Sequence, residues 1–166
     1  DKVIANGGLS KAYALPGLRL GWLVGPKEII ANAWAYSDYT SITAGIMSDK
    51  IAQMVLEPEM RKKVLSRSIT MLNENLRLTQ EWAKNYNQLL EFVPPKAGGM
   101  VFIKYHFPIN STELSDWLRL EKSVFILPGD VYGMDHHFRI GIGAEKKDLL
   151  RGYEILKNAL NEKFGF

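Results

Sequence analysis

The sequence predicts an α/β protein that ends in a smaller α+β module. Three features of the sequence indicate this fold class. Short apolar strands and amphipathic helices open the chain, one long helix is predicted over residues 59–88, and beyond it strands and helices are segregated. We find no internal repeat, low-complexity tract or linker along the 166 residues.

The opening segment predicts two strands joined by a loop. Residues 2–6 form an apolar strand of the buried parallel type, residues 7–18 a loop rich in glycine and proline, and residues 19–25 a second strand closed by Gly25-Pro26. A buried parallel strand needs neighbours on both sides, and the chain begins with Asp1 rather than Met. We therefore expect a C-terminal portion of a longer protein.

Three helices are predicted next. Pro26 favours a helix start, which gives a helix over about residues 27–39, and a second helix over about 43–56 is stopped by Glu57-Pro58. The helix over 59–88 would be roughly 45 Å long, enough to tie two domains together. Its apolar positions recur at steps of four and three: Leu65, Ile69, Leu72, Leu76, Thr79, Ala83 and Tyr86.

The remaining segment predicts the α+β module. A short strand near residue 90 is followed by a Pro-Pro and Gly-Gly break and a strand over 100–107. "STELSDWLRL" predicts a helix capped by Ser111 or Thr112. "SVFILPGDVYGM" predicts a strand that runs into a turn, "HFRIGIG" another strand, and residues 145–164 a last amphipathic helix.

Composition excludes several classes of protein. Hydrophobic residues make up 46% and charged residues 23%, as in a globular protein. The net charge of +3 is small and its basic residues are dispersed, so we predict no nucleic-acid partner, and no apolar run is long enough to predict a membrane span. The absence of cysteine fits a reducing compartment, and we expect a cytoplasmic protein.

The stretch "NGGLSKAYALPGLRLGW" carries Lys11 and Arg19, eight residues apart. A lysine can become a nucleophilic amine where burial or a neighbouring cation disfavours its charged form. Arg19, together with backbone N–H groups near Gly7 and Gly8, would bind a phosphate. The alternative is a solvated loop between two strands.

A second candidate site is the segment "HHFRIGIG". The strand period of two puts Phe138, Ile140 and Ile142 on one face, and His137, Arg139, Gly141 and Gly143 on the other. Arg139 would then project from a face cleared by glycines, where a guanidinium can bind a carboxylate through two parallel hydrogen bonds. The alternative is an ordinary exposed arginine.

An amine, a phosphate site and a carboxylate-binding arginine are what a pyridoxal-phosphate enzyme acting on amino acids requires. "GGLSKAYALPGLRLGW", "LPGDVYG" and "FRIGIG" resemble, in this order, the lysine segment, the last turn and the substrate-arginine strand of the class I/II aminotransferases. That family has the fold type I of pyridoxal-phosphate enzymes. The similarity covers nearly all of the chain.

The resemblance implies a role for each candidate residue. Lys11 would carry the cofactor on its amine and move a proton at the substrate Cα, with Ser10 beside it. Arg19 would hold the cofactor phosphate, and Arg139 would bind the α-carboxylate of the amino acid. Gly8 stands where many members have a phosphate-binding serine, which implies a weaker or backbone-made phosphate contact.

The resemblance also implies an organisation and partners. Residues 1–57 would end a large cofactor domain, and residues 58–166 would be an interdomain helix and a small α+β domain. Members are dimers that act on an amino acid and a 2-oxo acid, so a homodimer is expected. Other cofactor-binding residues of the family precede the lysine segment, so this chain alone is not expected to be a competent enzyme.

Other interpretations of the sequence remain open or are weak. A sister activity on the same cofactor, such as a C–S β-lyase, and a non-catalytic domain that keeps the fold both stay possible at this point. "GGLSK" does not match a P-loop. His106, His136 and His137 lack the spacing and the carboxylate or cysteine partners of a metal site, so no metal is predicted.

Overall fold

The computed structural model describes residues 3–86 and 88–165 and divides the chain into two compact units. The first unit ends at Thr70 and the second begins at Met71. The boundary falls within the long helix α3 (Pro58–Lys84), so each unit includes part of that helix. The assignment of residues 1–57 to a larger cofactor domain stays a prediction.

Two antiparallel strands begin the first unit. β1 (Ala5–Gly8) pairs with β2 (Gly21–Val24), and Gly8 lies opposite Gly21. The prediction of a parallel type of strand over 2–6 is wrong in direction for the described residues, since β1 pairs antiparallel with β2. The second predicted strand, over 19–25, is confirmed as β2, which is exposed along its length. An apolar run does not by itself distinguish the two pairings. Here Leu9 N–H donates to the Leu20 carbonyl, and this bond extends the pairing of the two segments beyond the strands.

Two further helices complete the first unit with the start of α3. These are α1 (Lys27–Ser37) and α2 (Ile46–Leu56). The helix α1 buries none of its residues, whereas α2 contributes to a small core. That core consists of Leu9, Tyr13, Ala52 and Val55, with Leu15, Leu18, Leu20, Val64 and Leu65 packed against it.

The second unit is an antiparallel sheet with helices packed on one face. Its strand order is β3, β4, β6, β5, and all neighbouring pairs are antiparallel. The core lies between the inward side chains of the sheet and the apolar faces of the helices. The elements are β3 (Leu90–Glu91), β4 (Met100–Tyr105), α4 (Ser111–Lys122), β5 (Leu127–Pro128), β6 (His137–Gly141) and α5 (Lys146–Phe164).

Several helix ends differ from the prediction. The helix α1 ends at Ser37 rather than near residue 39, and α2 begins at Ile46 rather than near residue 43. The helix α3 ends at Lys84 rather than near residue 88, and residue 87 lies outside the described residues. The cap of α4 is Asn110, whose side chain accepts hydrogen bonds from the N–H groups of Thr112 and Glu113. Ser111 is the first residue of the helix instead, and its hydroxyl accepts a hydrogen bond from Asp130 N–H at 3.0 Å.

A buried polar residue joins α3 to the segment after β6. Asn75 is 1% exposed, and its Nδ2 donates to the carbonyls of Ile142 at 2.8 Å and Ala144 at 2.9 Å. The Thr79 hydroxyl donates to the Asn75 carbonyl at 2.7 Å and lies 2.5 Å from the Tyr153 hydroxyl. These bonds fix the chain immediately beyond Arg139 to the helix.

We expect Asn75→Leu to lower the free energy of unfolding of the second unit by about 2–4 kcal/mol, because two buried carbonyls lose their donor. The measurement is chemical denaturation followed by circular dichroism. Asn73 is exposed on the same helix and provides the matched control. Asn73→Leu should change the stability by less than about 0.5 kcal/mol, and equal losses in the two variants would contradict the prediction.

Candidate active site

The segment around Lys11 is held by buried neighbours on both sides. Leu9 is fully buried and Tyr13 is 7% exposed, whereas Lys11 between them is exposed. The backbone turns sharply here, because the Lys11 carbonyl accepts from Ala14 N–H at 2.9 Å and the Leu9 carbonyl accepts from Leu15 N–H at 2.9 Å. The local fold therefore presents the Lys11 amine to solvent from a fixed bend.

Two arginines of α3 brace this bend. Arg61 Nε donates to the Tyr13 hydroxyl at 3.0 Å, and Arg67 Nη2 donates to the Tyr13 carbonyl at 3.4 Å. Both contacts lie within the first unit. The sequence does not predict these contacts, because Tyr13 is 48 positions away from Arg61 and 54 positions away from Arg67 along the chain.

Arg19 follows a short 3-10 turn over Pro16–Leu18. Its backbone is left-handed, with φ 49°, and its Nη1 donates to the Pro16 carbonyl at 3.0 Å. The residue is exposed, and within residues 3–86 and 88–165 neither Arg19 nor Lys11 forms an ion pair. Ser10 is half-buried beside the lysine.

The two glycines before the lysine belong to β1 and not to a loop, contrary to the prediction. A Cβ on Gly7 would lie 2.5 Å from Cε2 of Trp22, the residue opposite it on β2. A Cβ on Gly8 would lie 3.3 Å from the Leu20 carbonyl oxygen. The structure thus gives Gly7 a packing role, which is to leave room for the indole ring.

Arg139 lies on the central strand β6, opposite Phe102 of β4 and Leu127 of β5. The predicted alternation is confirmed, because Phe138 is buried in the core while Arg139 is on the other face and half-buried. Its Nε atom is buried and has no hydrogen-bond partner in the described part of the chain. Arg139 also has no carboxylate partner among those residues.

Aromatic rings accompany Arg139 on this face of the sheet. Its guanidinium carbon lies over the Tyr132 ring, 5.2 Å from the centroid. Phe102 meets Tyr132 edge to face at 5.9 Å and stacks on His137 at 5.0 Å. Sequence reasoning missed Tyr132 and Phe102, although the alternation along β4 places Phe102 on the same face as Arg139.

The loop that carries Tyr132 is fastened to the start of α4. Asp135 Oδ1 accepts from the N–H groups of Ser111 at 2.8 Å and His136 at 2.6 Å, and Oδ2 accepts from Asn110 Nδ2 at 3.1 Å. These donors hold the pKa of the Asp135 carboxyl below its usual range, the backbone N–H of Ser111 having the largest effect. Asp130 Oδ2 likewise accepts from the Thr112 hydroxyl at 2.8 Å.

No metal site competes with these candidates among the residues that the structure describes. His106 Nε2 lies 2.6 Å from Glu91 Oε1, but no three His, Cys, Asp or Glu side chains in the described ranges form a group suited to a metal ion. No described helix is long and apolar enough to cross a membrane.

Comparison with known proteins identifies the family. Residues 1–156 match the sequence profile of the family described as aminotransferase class I and II. The chain belongs to this family. This membership confirms the resemblance predicted from the lysine segment, the last turn and the arginine strand.

Individual relatives match along almost the whole chain. Capreomycidine synthase of Streptomyces vinaceus is 28% identical over 160 residues, which is 96% of this chain and 41% of the relative. Aspartate aminotransferase of Streptomyces avermitilis is 26% identical over 98% of this chain and 41% of its own length. The chain thus spans about two fifths of the length of these relatives.

A solved structure confirms the predicted fold class. The crystal structure of a PLP-dependent aminotransferase from Streptococcus suis superimposes with a TM-score of 0.87 at 30% sequence identity. The match covers 96% of this chain and 42% of that protein. The chain therefore has the fold of the corresponding part of a fold type I pyridoxal-phosphate (PLP) enzyme.

The residues near Lys11 fit the cofactor that this family implies. PLP carries an aldehyde, which an unpaired lysine amine can bind, and a phosphate, which a guanidinium can bind. Lys11 supplies such an amine on a fixed bend, and Arg19 supplies the guanidinium on the same segment. Arg19 commits Nη1 to a backbone carbonyl, so its remaining donors suit the phosphate.

We expect Asp135→Asn to destabilise the second unit at neutral pH, because the substitution removes a carboxylate that accepts three hydrogen bonds. The folded-state pKa of Asp135 is lowered, so its contribution is present above the unfolded-state pKa of about 3.9 and is lost as the pH falls through the lower folded-state value. Denaturation midpoints of wild type and variant should therefore converge at acidic pH. A difference that stays constant from neutral pH to below about pH 3 would contradict this prediction.

Proposed function

We propose that the full-length protein is a PLP-dependent aminotransferase that transfers an amino group from an amino acid to a 2-oxo acid. The observation that carries the proposal is the half-buried Arg139, whose guanidinium lacks an anionic partner among the described residues. Both substrates of a transaminase carry a carboxylate that such a group binds. Membership of the family and the exposed amine of Lys11 support the same conclusion.

Lys11, Ser10 and Arg19 are the proposed cofactor-binding residues. Lys11 would hold PLP through its amine and, when the substrate displaces it, move a proton at the substrate Cα. Arg19 would bind the phosphate, with Ser10 beside the lysine. The bound cofactor would supply an electron sink for the reaction, and the bend fixed by Leu9 and Tyr13 would orient the amine.

Arg139 is the proposed substrate-binding residue. A carboxylate can accept from the Nε and Nη donors of a guanidinium in two parallel hydrogen bonds. The Nε of Arg139 is buried without an acceptor, a state that costs about 1–3 kcal/mol. A bound α-carboxylate would remove this cost, which favours binding at that edge of the guanidinium.

A second candidate is another activity on the same cofactor. Capreomycidine synthase, a relative that matches nearly the whole chain, is named a synthase and not an aminotransferase. The two candidates differ in their products. A transaminase converts its donor into a 2-oxo acid and needs an acceptor 2-oxo acid, whereas a C–S β-lyase cleaves a single amino-acid substrate without that acceptor.

The organisation of the full protein is also proposed. Residues 1–57 would end the large cofactor domain, residues 58–166 would form the interdomain helix and small domain, and the protein would be a cytoplasmic homodimer. Exposed apolar side chains on α1 support an interface on the first unit, since Trp34 and Tyr36 are 70% and 72% exposed. Size-exclusion chromatography with light scattering would measure the oligomeric state.

We expect Lys11→Ala in the full-length protein to abolish turnover and the visible absorbance of the lysine-bound cofactor while the fold stays intact. The loss follows because alanine has no amine that could bind the cofactor or move the proton. Lys27 is exposed in the same unit, and Lys27→Ala is the control that should behave as wild type. Wild-type activity in Lys11→Ala would disprove the role of Lys11.

A second experiment distinguishes the proposed roles of Arg139 and Arg19. Arg139→Ala should weaken binding of amino and 2-oxo acids by about 2–5 kcal/mol, since a charge-assisted pair is lost, and leave PLP bound. Arg19→Ala should mainly weaken PLP. Titrations with cofactor and substrate measure both effects, and Arg151→Ala at an exposed position is the control. Loss of cofactor alone in both variants would exclude a carboxylate role for Arg139.

A further inference from the structure

The loop before β6 offers Arg139 an aromatic partner and no acidic one. The Tyr132 ring lies against the guanidinium at 5.2 Å, although Tyr132 is 47% exposed and lies outside the hydrophobic core. Two carboxylates occur in the same loop, at Asp130 and Asp135. Neither forms an ion pair with Arg139. The missing ion pair needs an explanation, because Arg139 is half-buried.

Both carboxylates are committed to the start of α4. Asp130 accepts from the Thr112 hydroxyl, and Asp135 accepts from backbone and side-chain N–H groups there. A helix N-terminus attracts carboxylates, because its first N–H groups lack partners and carry partial positive charge. The two carboxylates that could neutralise Arg139 are thus hydrogen-bonded to the start of α4 instead.

The conformation of the loop holds the Tyr132 ring at Arg139. Tyr132 ends a 3-10 turn that begins at Gly129, where an added Cβ would lie 2.0 Å from the Met134 carbonyl oxygen. Met134 N–H donates to the Gly129 carbonyl at 3.0 Å, and Gly133 follows with φ 70°. The ring itself is fixed by the edge-to-face contact with Phe102.

An aromatic ring is suited to this position. A ring attracts a guanidinium through a cation–π interaction but offers no acceptor in the plane of its N–H groups. The in-plane donors of Arg139 therefore stay available, whereas an aspartate partner would occupy them. Leu127 and Phe102, which flank Arg139 across the sheet, are equally unable to accept those bonds.

We propose that Tyr132 is a positioning residue that holds the Arg139 guanidinium for the α-carboxylate of the substrate while leaving its in-plane donors unoccupied. The inference rests on the proposed function and adds to it the residue that orders the carboxylate site. Tyr132 acts through its ring and not through its hydroxyl, since the contact with Arg139 is made by the ring.

The kinetic test compares Tyr132→Leu with Tyr132→Phe in the full-length enzyme. Tyr132→Leu should raise the KM of both amino acid and 2-oxo acid by about three- to thirtyfold, the range of a cation–π contact, with kcat within twofold. Tyr132→Phe should restore the wild-type KM. Phe125 is 68% exposed in the same unit, and Phe125→Leu is the control. An equal rise in KM in Tyr132→Leu and Tyr132→Phe, or no rise in Tyr132→Leu, would overturn the proposal.

A second test does not require activity. In the full-length protein labelled with 15N-arginine, ring currents from Tyr132 should shift the Arg139 Nε–H resonance, which Arg139→Lys identifies by its loss. The shift should persist in Tyr132→Phe and move toward the exposed arginines in Tyr132→Leu. A resonance that does not respond to Tyr132→Leu overturns the positioning role. A response in a protein without transaminase activity supports that role and counts against the proposed function alone.

Discussion

The attachment of the loop before β6 to the start of α4 determines the surroundings of Arg139. Asp135 accepts from Ser111 N–H, and Ser111 in turn accepts from Asp130 N–H, so the two segments hold each other in place. The first of these contacts also satisfies the Ser111 N–H, one of the groups that an α-helix leaves unpaired at its first turn. Because the loop also carries Tyr132, a helix-capping interaction sets the partner of a proposed substrate-binding arginine.

A comparable arrangement supports Lys11 in the first unit. Side chains on either side of the lysine are buried, and α3 supplies arginine donors to Tyr13. In both places the backbone is fixed by neighbours of the proposed site residue and not by the residue itself. A cation that is not used for stability keeps its donors available for a ligand, which is what pre-organised binding requires.

The sequence predicts those parts that depend on local pattern. The helices follow from apolar periodicity, and the face that carries Arg139 follows from the alternation along β6. The local pattern does not predict three features: the antiparallel pairing of β1 with β2, the cap at Asn110 and the contact of the Tyr132 ring with Arg139. Each depends on a contact between separate segments or on a particular loop conformation. Motifs in the sequence lead to the proposal of Lys11, Arg19 and Arg139 as site residues, but they do not predict the residues that hold these three in place.

The buried Nε of Arg139 indicates how stability and binding are balanced in this fold. An unpaired buried donor lowers the free energy of unfolding by about 1–3 kcal/mol, and a carboxylate of the protein in the plane of the guanidinium would remove this cost. Such a carboxylate would also compete with any carboxylate ligand for the same donors. The Tyr132 ring recovers part of the lost stability through its cation–π contact with Arg139. Because the ring does not occupy the in-plane N–H donors, it does not compete with a carboxylate ligand. A local departure from full hydrogen bonding is thus consistent with a binding site, as functional sites commonly depart from the most stable arrangement.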